Sequence, residues 1–254
     1  MQRNQIAPEV TAFTHDGRSS CSMIHTKDGI ILIDTTARPV DIQECLKLEN
    51  AKSENVCLIL LTHSHSDHTS GVPLFDCPVL AHKLTKQRIR RRNSERSKRQ
   101  MPTAVFEDRK EIQIGELALE FIHVGGHTPG SSLVWYPKQR ILFAGDLIFE
   151  GRYPFFASAR LKTLMDALRF LISFEAEIIV PGHGSLCNND EVMRQLKYIE
   201  EIWMLTENHV RKGDSLEETL KDLKYPVYSE RGYEKLHPWN IRVAYQQLSK
   251  LLNE

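Results

Sequence analysis

The chain has no net charge, because its 33 Lys and Arg residues balance 33 Asp and Glu residues. A molecule-wide field that would gather nucleic acid or an anionic membrane is therefore missing, and any such binding has to come from a local patch. Cysteine is sparse. The five residues Cys21, Cys45, Cys57, Cys77 and Cys187 are odd in number and form no CxxC pair, which argues against a disulfide framework or a structural zinc knuckle and reads as reduced thiols. Long apolar runs are also lacking. Nothing approaches the roughly 18 continuous apolar residues of a membrane span, and "MQRNQIAPEVTAF" holds no apolar core of an export signal. The expectation is a soluble cytoplasmic protein with no membrane contact. No internal repeat or low-complexity tract is visible.

What is present is enough apolar residue, 41% of 254 positions, to bury one large domain or a domain with an appendage. Up to Pro181 the pattern is β-rich, with short apolar runs separated by Gly, Pro and Asp turns. "SMIHTKDGIILIDTT" reads as a hairpin turning at Asp28-Gly29, since that dipeptide readily takes the positive φ such turns need. A helix is predicted over 40–48, then the strand "NVCLILL", then strands at "PVLAH", "KEIQIG", "LALEFIHV", "SSLVWYP", "RILFAGD" and "AEIIVPGH", with a helix over 161–174 before the last. Past His183 the pattern turns helical: apolar residues at near-3.6 spacing over 190–211, a capping box from Ser215 to Glu218, and a final helix opening at Asn240. The predicted organisation is a domain over 1–186 and a helical extension over 187–254 packed on it.

One stretch stands apart in composition. "KLTKQRIRRRNSERSKRQ", from Lys83 to Gln100, carries nine Lys or Arg against the single acid Glu95. Such a basic run (83–99) either grips phosphates or is a solvated helix and loop. No aromatic residue interleaves it to stack on bases, so nucleic-acid binding is not the leading expectation.

The chemistry concentrates in "LLTHSHSDHTSG". His63 and His65, alternate residues on one loop, can reach a single ion, while Asp67 and His68 face elsewhere and can serve a second. Three later turns each offer one more donor after an apolar run: His127 in "VGGHTPGSS", Asp146 in "LFAGDLIF" and His183 in "IIVPGHGS". Five histidines and two aspartates at strand ends form a metal-binding pattern, whereas His15, His25, His82, His123, His209 and His237 lack such settings and read as structural.

These residues resemble the metallo-β-lactamase-fold superfamily, whose HxHxDH signature is matched by His63, His65, Asp67 and His68 and followed in order by His127, Asp146 and His183. The resemblance runs from Ile24 to Ser185. It implies an α/β fold, an αββα sandwich of two mixed sheets flanked by helices, here with a C-terminal helical extension. It further implies two Zn2+ ions per chain, with Fe or Mn as substitutes. His63, His65 and His127 would hold one ion, Asp67, His68 and His183 the other, and Asp146 would bridge. Asp34, in "LIDTT", matches the family's early aspartate and is expected to orient the histidine loop.

The activity so implied is a metal-dependent hydrolase that uses a metal-bridging hydroxide to cleave an ester, thioester or lactone bond in a small molecule, with Asp67 orienting the hydroxide or shuttling its proton. "GDLIFEGRYPFF" and "GHGSL" depart from the glyoxalase II pattern, which points away from glutathione thioesters. Arg152, Tyr153, Phe155 and Phe156 are expected to border the substrate pocket, with the guanidinium suited to a carboxylate. Three alternatives stay open: a phosphodiesterase or nuclease using the basic run, a promiscuous β-lactamase, and a mononuclear iron dioxygenase on the same fold. The oligomeric state is open too, because the extension's apolar stripe must bury on its own domain or on a partner.

Overall fold

Strands whose residues alternate between two apolar environments decide the layering. The structure, a computed structural model, describes residues 1–228 and 235–252. Seven strands form the first half: β1 (Gln2–Ala7), β2 (Val10–Ser19), β3 (Cys21–Thr26), β4 (Gly29–Ile33), β5 (Val56–Leu61), β6 (Val79–His82) and β7 (Ala104–Phe106). The second half holds β8 (Arg109–Ile114), β9 (Leu117–His123), β10 (Ser132–Tyr136), β11 (Ile141–Phe149) and β12 (Ile178–Gly184). In β4, Ile31 and Ile33 face an inner core while Ile30 and Leu32 face an outer one. In β11, Ile141 and Phe143 face that same inner core and Leu142 and Ala144 face away. With a side-chain period of two, each sheet has two buried faces, and helices must cover both outer ones.

They do. Ile42, Cys45 and Leu46 of α1 (Pro39–Leu48) and Ile89 of α3 (Lys83–Arg91) cover the first half. Leu164 and Leu168 of α5 (Leu161–Ile172), Ile199 and Ile202 of α6 (Asn189–Lys212) and Ile241 of α8 (Leu236–Leu252) cover the second. The expected αββα sandwich of mixed sheets is therefore observed, with one refinement. The two halves are hydrogen-bonded into a continuous path where β12 pairs antiparallel with β2, His183 opposite Ser19 and Gly184 opposite His15.

Three short helices complete the described elements: α2 (Ser66–Thr69), α4 (Glu95–Lys98) and α7 (Leu216–Leu220), the last held by the expected box in which Ser215 and Glu218 cap each other. The helix predicted over 161–174 stops at Ile172, and Glu175 at φ 48° turns the chain toward β12. The last helix starts at Leu236 rather than Asn240, with Pro238 in its first turn, where no intrahelical N–H is required. Among the described residues no helix is long and apolar enough to cross a membrane.

The apolar stripe of the extension buries on its own chain: Tyr198, Ile199 and Ile202 join one core with α5, α8 and the outer face of β11. Ile202 is fully buried there. Ile202→Ala should lower the stability of the chain by about 2–5 kcal/mol, the usual range for emptying such a site, read as a shift of the urea midpoint in a single transition. A change under about 0.5 kcal/mol, the scale of surface substitutions, would show that α6 is not part of that core.

Candidate metal centre

Each candidate ligand sits just past, or at the end of, a strand of the sandwich, and backbone geometry aims it inward. Asp34 follows β4 with φ 57° and lies behind the histidine loop rather than in it. Its Oδ1 accepts from the Thr62 amide at 2.8 Å, and its Oδ2 accepts from Thr62 Oγ1 at 2.7 Å and from His68 Nδ1 at 2.7 Å. Because a carboxylate only accepts here, His68 Nδ1 carries a proton, and Nε2 is the nitrogen that faces the centre. Thr62 Oγ1 spends its proton on Asp34, so it accepts from His63 Nδ1 at 3.1 Å, and His63 likewise presents Nε2. The Phe155 carbonyl accepts from His127 Nδ1 at 3.2 Å, with the same result.

The seven predicted ligands come together. Donor atoms of His63, His65, His127 and Asp146 lie within 4.8 Å of one another, as do those of Asp67, His68, Asp146 and His183. Asp146 belongs to both sets: its Oδ2 is 3.5 Å from His63 Nε2 and 3.4 Å from His127 Nε2, and its Oδ1 is 2.9 Å from His68 Nε2 and 3.4 Å from His183 Nε2. His63 Nε2, His68 Nε2 and Asp146 Oδ1 are buried with no hydrogen-bond partner. His68 Nε2 and Asp146 Oδ1 are close, yet not aligned on each other. Buried donors left unsatisfied in this way cost free energy unless a cation takes their lone pairs, so the set fits two metal ions sharing one carboxylate. Asp34 also neighbours His63 and His68, but its oxygens are committed to Thr62 and His68.

Charge states divide the set: against burial, Asp146, Asp34 and Asp67 hold His68 above its ordinary value and Asp146 and Asp67 do the same for His183, so an ion would displace a proton from each. Burial, reinforced by His63 and His127, pulls His65 down to about 2, and burial pulls His127 down to about 3. Both imidazoles are thus neutral at pH 7, the form a metal needs. Burial alone would raise Asp146, but His68, His183 and His63 outweigh it and hold the carboxyl well below its ordinary range. Asp67, half-buried, is likewise pushed up by burial but lowered overall by His68 and by its contact with His183 Nε2 at 3.2 Å.

The centre opens into a cavity of about 610 Å³, lined on its floor by His65, Asp67, Asp146 and His183. Of the residues expected at the pocket, Arg152, Tyr153 and Phe155 line it, with Tyr153 only 3% exposed. Phe156 does not. It is fully buried in the core under α5 and α6, which corrects its assignment to the pocket: adjacent side chains on a non-helical segment point to opposite sides, and only Phe155 meets the cavity. Phe149, whose ring stacks on His183 at 5.4 Å, lines the cavity and was not expected there. Neither were Arg92, Arg96 and Gln100, which come from the basic run. Arg88 and Arg92, four apart, share a face at the end of α3, whereas no local signal marks Arg96, which follows the turn at Asn93. His237 stays outside both donor sets and bonds Tyr198 Oη through Nδ1 at 2.9 Å.

A Cβ at Gly182 would lie 2.0 Å from Asp146 Oδ1. Gly182→Ala is therefore expected to displace the shared carboxylate and cut the metal retained after dialysis, measured by elemental analysis. Asp34→Asn tests the scaffold more gently: metal affinity in chelator competition should fall about 10- to 100-fold with the circular dichroism spectrum retained. Undiminished affinity would remove Asp34 from this role.

Comparison with known proteins agrees with the geometry. The family described as the metallo-beta-lactamase superfamily matches residues 15–183. The chain is 29% identical to the alpha subunit of 2,4-dinitroanisole O-demethylase from a Nocardioides species, over 66% of this chain and 53% of that protein. It is 31% identical to hydroxyacylglutathione hydrolase of Bdellovibrio bacteriovorus, over 44% of this chain and 42% of that protein. The chain thus matches about half the length of these relatives or less. The solved metallo-beta-lactamase from Pontibacter korlensis superposes with a TM-score of 0.68 at 25% identity, covering 78% of this chain and 98% of that one. A family match across most of the sequence, and a sandwich that closes its predicted ligands on one another, together make this chain a member of the metallo-beta-lactamase superfamily.

Proposed function

We propose that the chain is a two-metal hydrolase that opens an ester, thioester or lactone bond in a small molecule. The observation that carries this reading is the pair of donor sets sharing Asp146 at the floor of a cavity of small-molecule size. His63, His65 and His127 would hold one ion and Asp67, His68 and His183 the other, with Asp146 between them. Zinc is the first choice for such donors, and iron and manganese accept them as well. Bound there, the ions supply a water-derived nucleophile at neutral pH and Lewis-acid stabilisation of the charge that develops on the substrate oxygen.

The chain's own groups do the rest. Asp67, ionised and half open to the cavity, is the carboxylate positioned to orient the attacking water and take its proton. Phe149 and Phe155 cover the apolar part of a substrate and keep bulk water from it. The scissile carbonyl would approach from the cavity side, because the opposite side of the centre is closed by Asp34 and Thr62. A mononuclear iron oxygenase is the weaker reading, because Asp67, His68, Asp146 and His183 form a complete second set.

Metal analysis of the purified chain should return about two ions, and a panel of chromogenic esters, thioesters and lactones should include a substrate. On that substrate His63→Ala or Asp146→Ala should lose about 1,000-fold or more in kcat/KM, about 4 kcal/mol of transition-state stabilisation, without unfolding. Chelation should silence the native chain and added zinc or manganese restore it. One iron and no zinc per chain, or activity surviving either substitution, would overturn the proposal.

A further inference from the structure

We infer that the basic run builds an anion-recognition subsite into the metal cavity, so that the substrate carries a carboxylate or phosphate group away from its scissile bond. This rests on the hydrolase reading and sharpens its substrate class.

The run is not an outward-facing strip. Its first helix, α3, is seated on the domain by Ile89, which is fully buried, and by Thr85 Oγ1 donating to the Gly130 carbonyl at 2.9 Å. With that helix fixed, residues four apart share a face. Arg88 donates to Ser158 Oγ at 2.7 Å, beside His65, and Arg92 donates to the carbonyl of Ser64 inside the ligand loop. At Asn93, with φ 44°, the chain turns, and Ser94 caps α4. That turn brings Arg96 onto the same side, where it donates to Ser70 Oγ at 2.6 Å.

These partners are neutral oxygens. They orient the guanidiniums without neutralising them. On the outside of the run, by contrast, Lys83 and Lys98 pair with Glu107 at 2.8 Å and Glu95 at 2.6 Å. Arg92 and Arg96 line the cavity together with Arg152, which reaches it from the segment after β11 and donates to the Asp16 carbonyl at 2.6 Å. Burial and the like charges of Arg88 and Arg96 outweigh the attraction of Asp67 and pull the Arg92 guanidinium below its ordinary value, and an anion among them would relieve that repulsion. A separate observation points to a ligand at the same place. Gln100, 2% exposed, lines the cavity, and its Nε2 is buried with no hydrogen-bond partner. A buried amide donor next to two guanidiniums matches the acceptor-rich face of a carboxylate or phosphate.

The lining also includes Phe149, Phe155 and Leu236, which offer apolar surface to the body of a substrate. The fitting molecule therefore has an anionic end, a short apolar body and an acyl bond that reaches the centre. A nucleic-acid strand is less suited, because Arg92 and Arg96 line a cavity of small-molecule size.

The test uses the metal-loaded full chain and three 4-nitrophenyl esters of one acyl length, ending in a carboxylate, a phosphonate or a neutral carboxamide. An anionic end should raise kcat/KM about tenfold or more over the carboxamide, chiefly through KM, and the larger of the two anionic effects identifies the anion. Arg96→Gln and Arg92→Gln should bring the ratio toward one, and Arg96→Lys should restore part of it. Ready turnover of all three esters at equal kcat/KM, or a ratio unchanged in both glutamine variants, would overturn the subsite while leaving the hydrolase standing. If no ester is turned over, calorimetry with glutarate and inorganic phosphate decides separately. Binding that is lost in Arg96→Gln supports the subsite although the hydrolase reading falls, and no binding overturns both. Arg96-dependent binding of a single-stranded oligonucleotide that glutarate does not displace would also overturn the small-molecule assignment.

Discussion

A carboxylate buried among imidazoles organises this molecule. Asp146, 5% exposed, sits in the second half of β11 within 3.5 Å of four histidines from three separate segments. Removing an ionised carboxylate from water costs several kcal/mol, and the cost is recovered only if compensating groups are held around it in fixed geometry. The loops after β5, β9, β11 and within β12 converge on that point. Small residues make the convergence possible: Gly145 and Gly182 leave no room for a Cβ between Asp146, Thr62 and the strands they join.

The same demand explains why the sheets meet where they do. β12 pairs with β11 on one side and with β2 on the other, so His183 belongs to the seam between the halves. Behind the seam Asp34 ties Thr62 and His68 to β4, which sets which nitrogen each imidazole turns inward. Orientation of the ligands is thus a property of the first sheet, and delivery of the shared carboxylate a property of the second. The inner core of Ile31, Leu60, Phe121 and Phe143 holds the two in register.

Much of this was legible in the amino-acid order. Apolar runs ending in Gly, Asp or His marked the strands and their terminal turns, because a short side chain at a tight turn is a local feature. The seven ligands are readable for the same reason. Less legible were residues whose role depends on distant packing. Phe155 and Phe156 are adjacent and chemically alike, yet one lines the cavity and the other fills the core, a difference set by which side of the segment α5 and α6 cover. The last helix, expected to open at Asn240, instead starts at Leu236 and takes Pro238 into its first turn.

The basic run shows the division most clearly. Composition alone offered a solvated helix or a phosphate grip, because charge and spacing describe a face without saying what it meets. The burial of Ile89 and the bond from Thr85 to Gly130 turn that face toward the ligand loop. By itself the sequence determined the ligand types, their order and the strand ends that carry them, all set by local turn chemistry and donor preference. Only the tertiary structure decided which aromatic ring meets the cavity and that Arg92 and Arg96 border the ligand loop, since each depends on contacts between segments far apart in the chain.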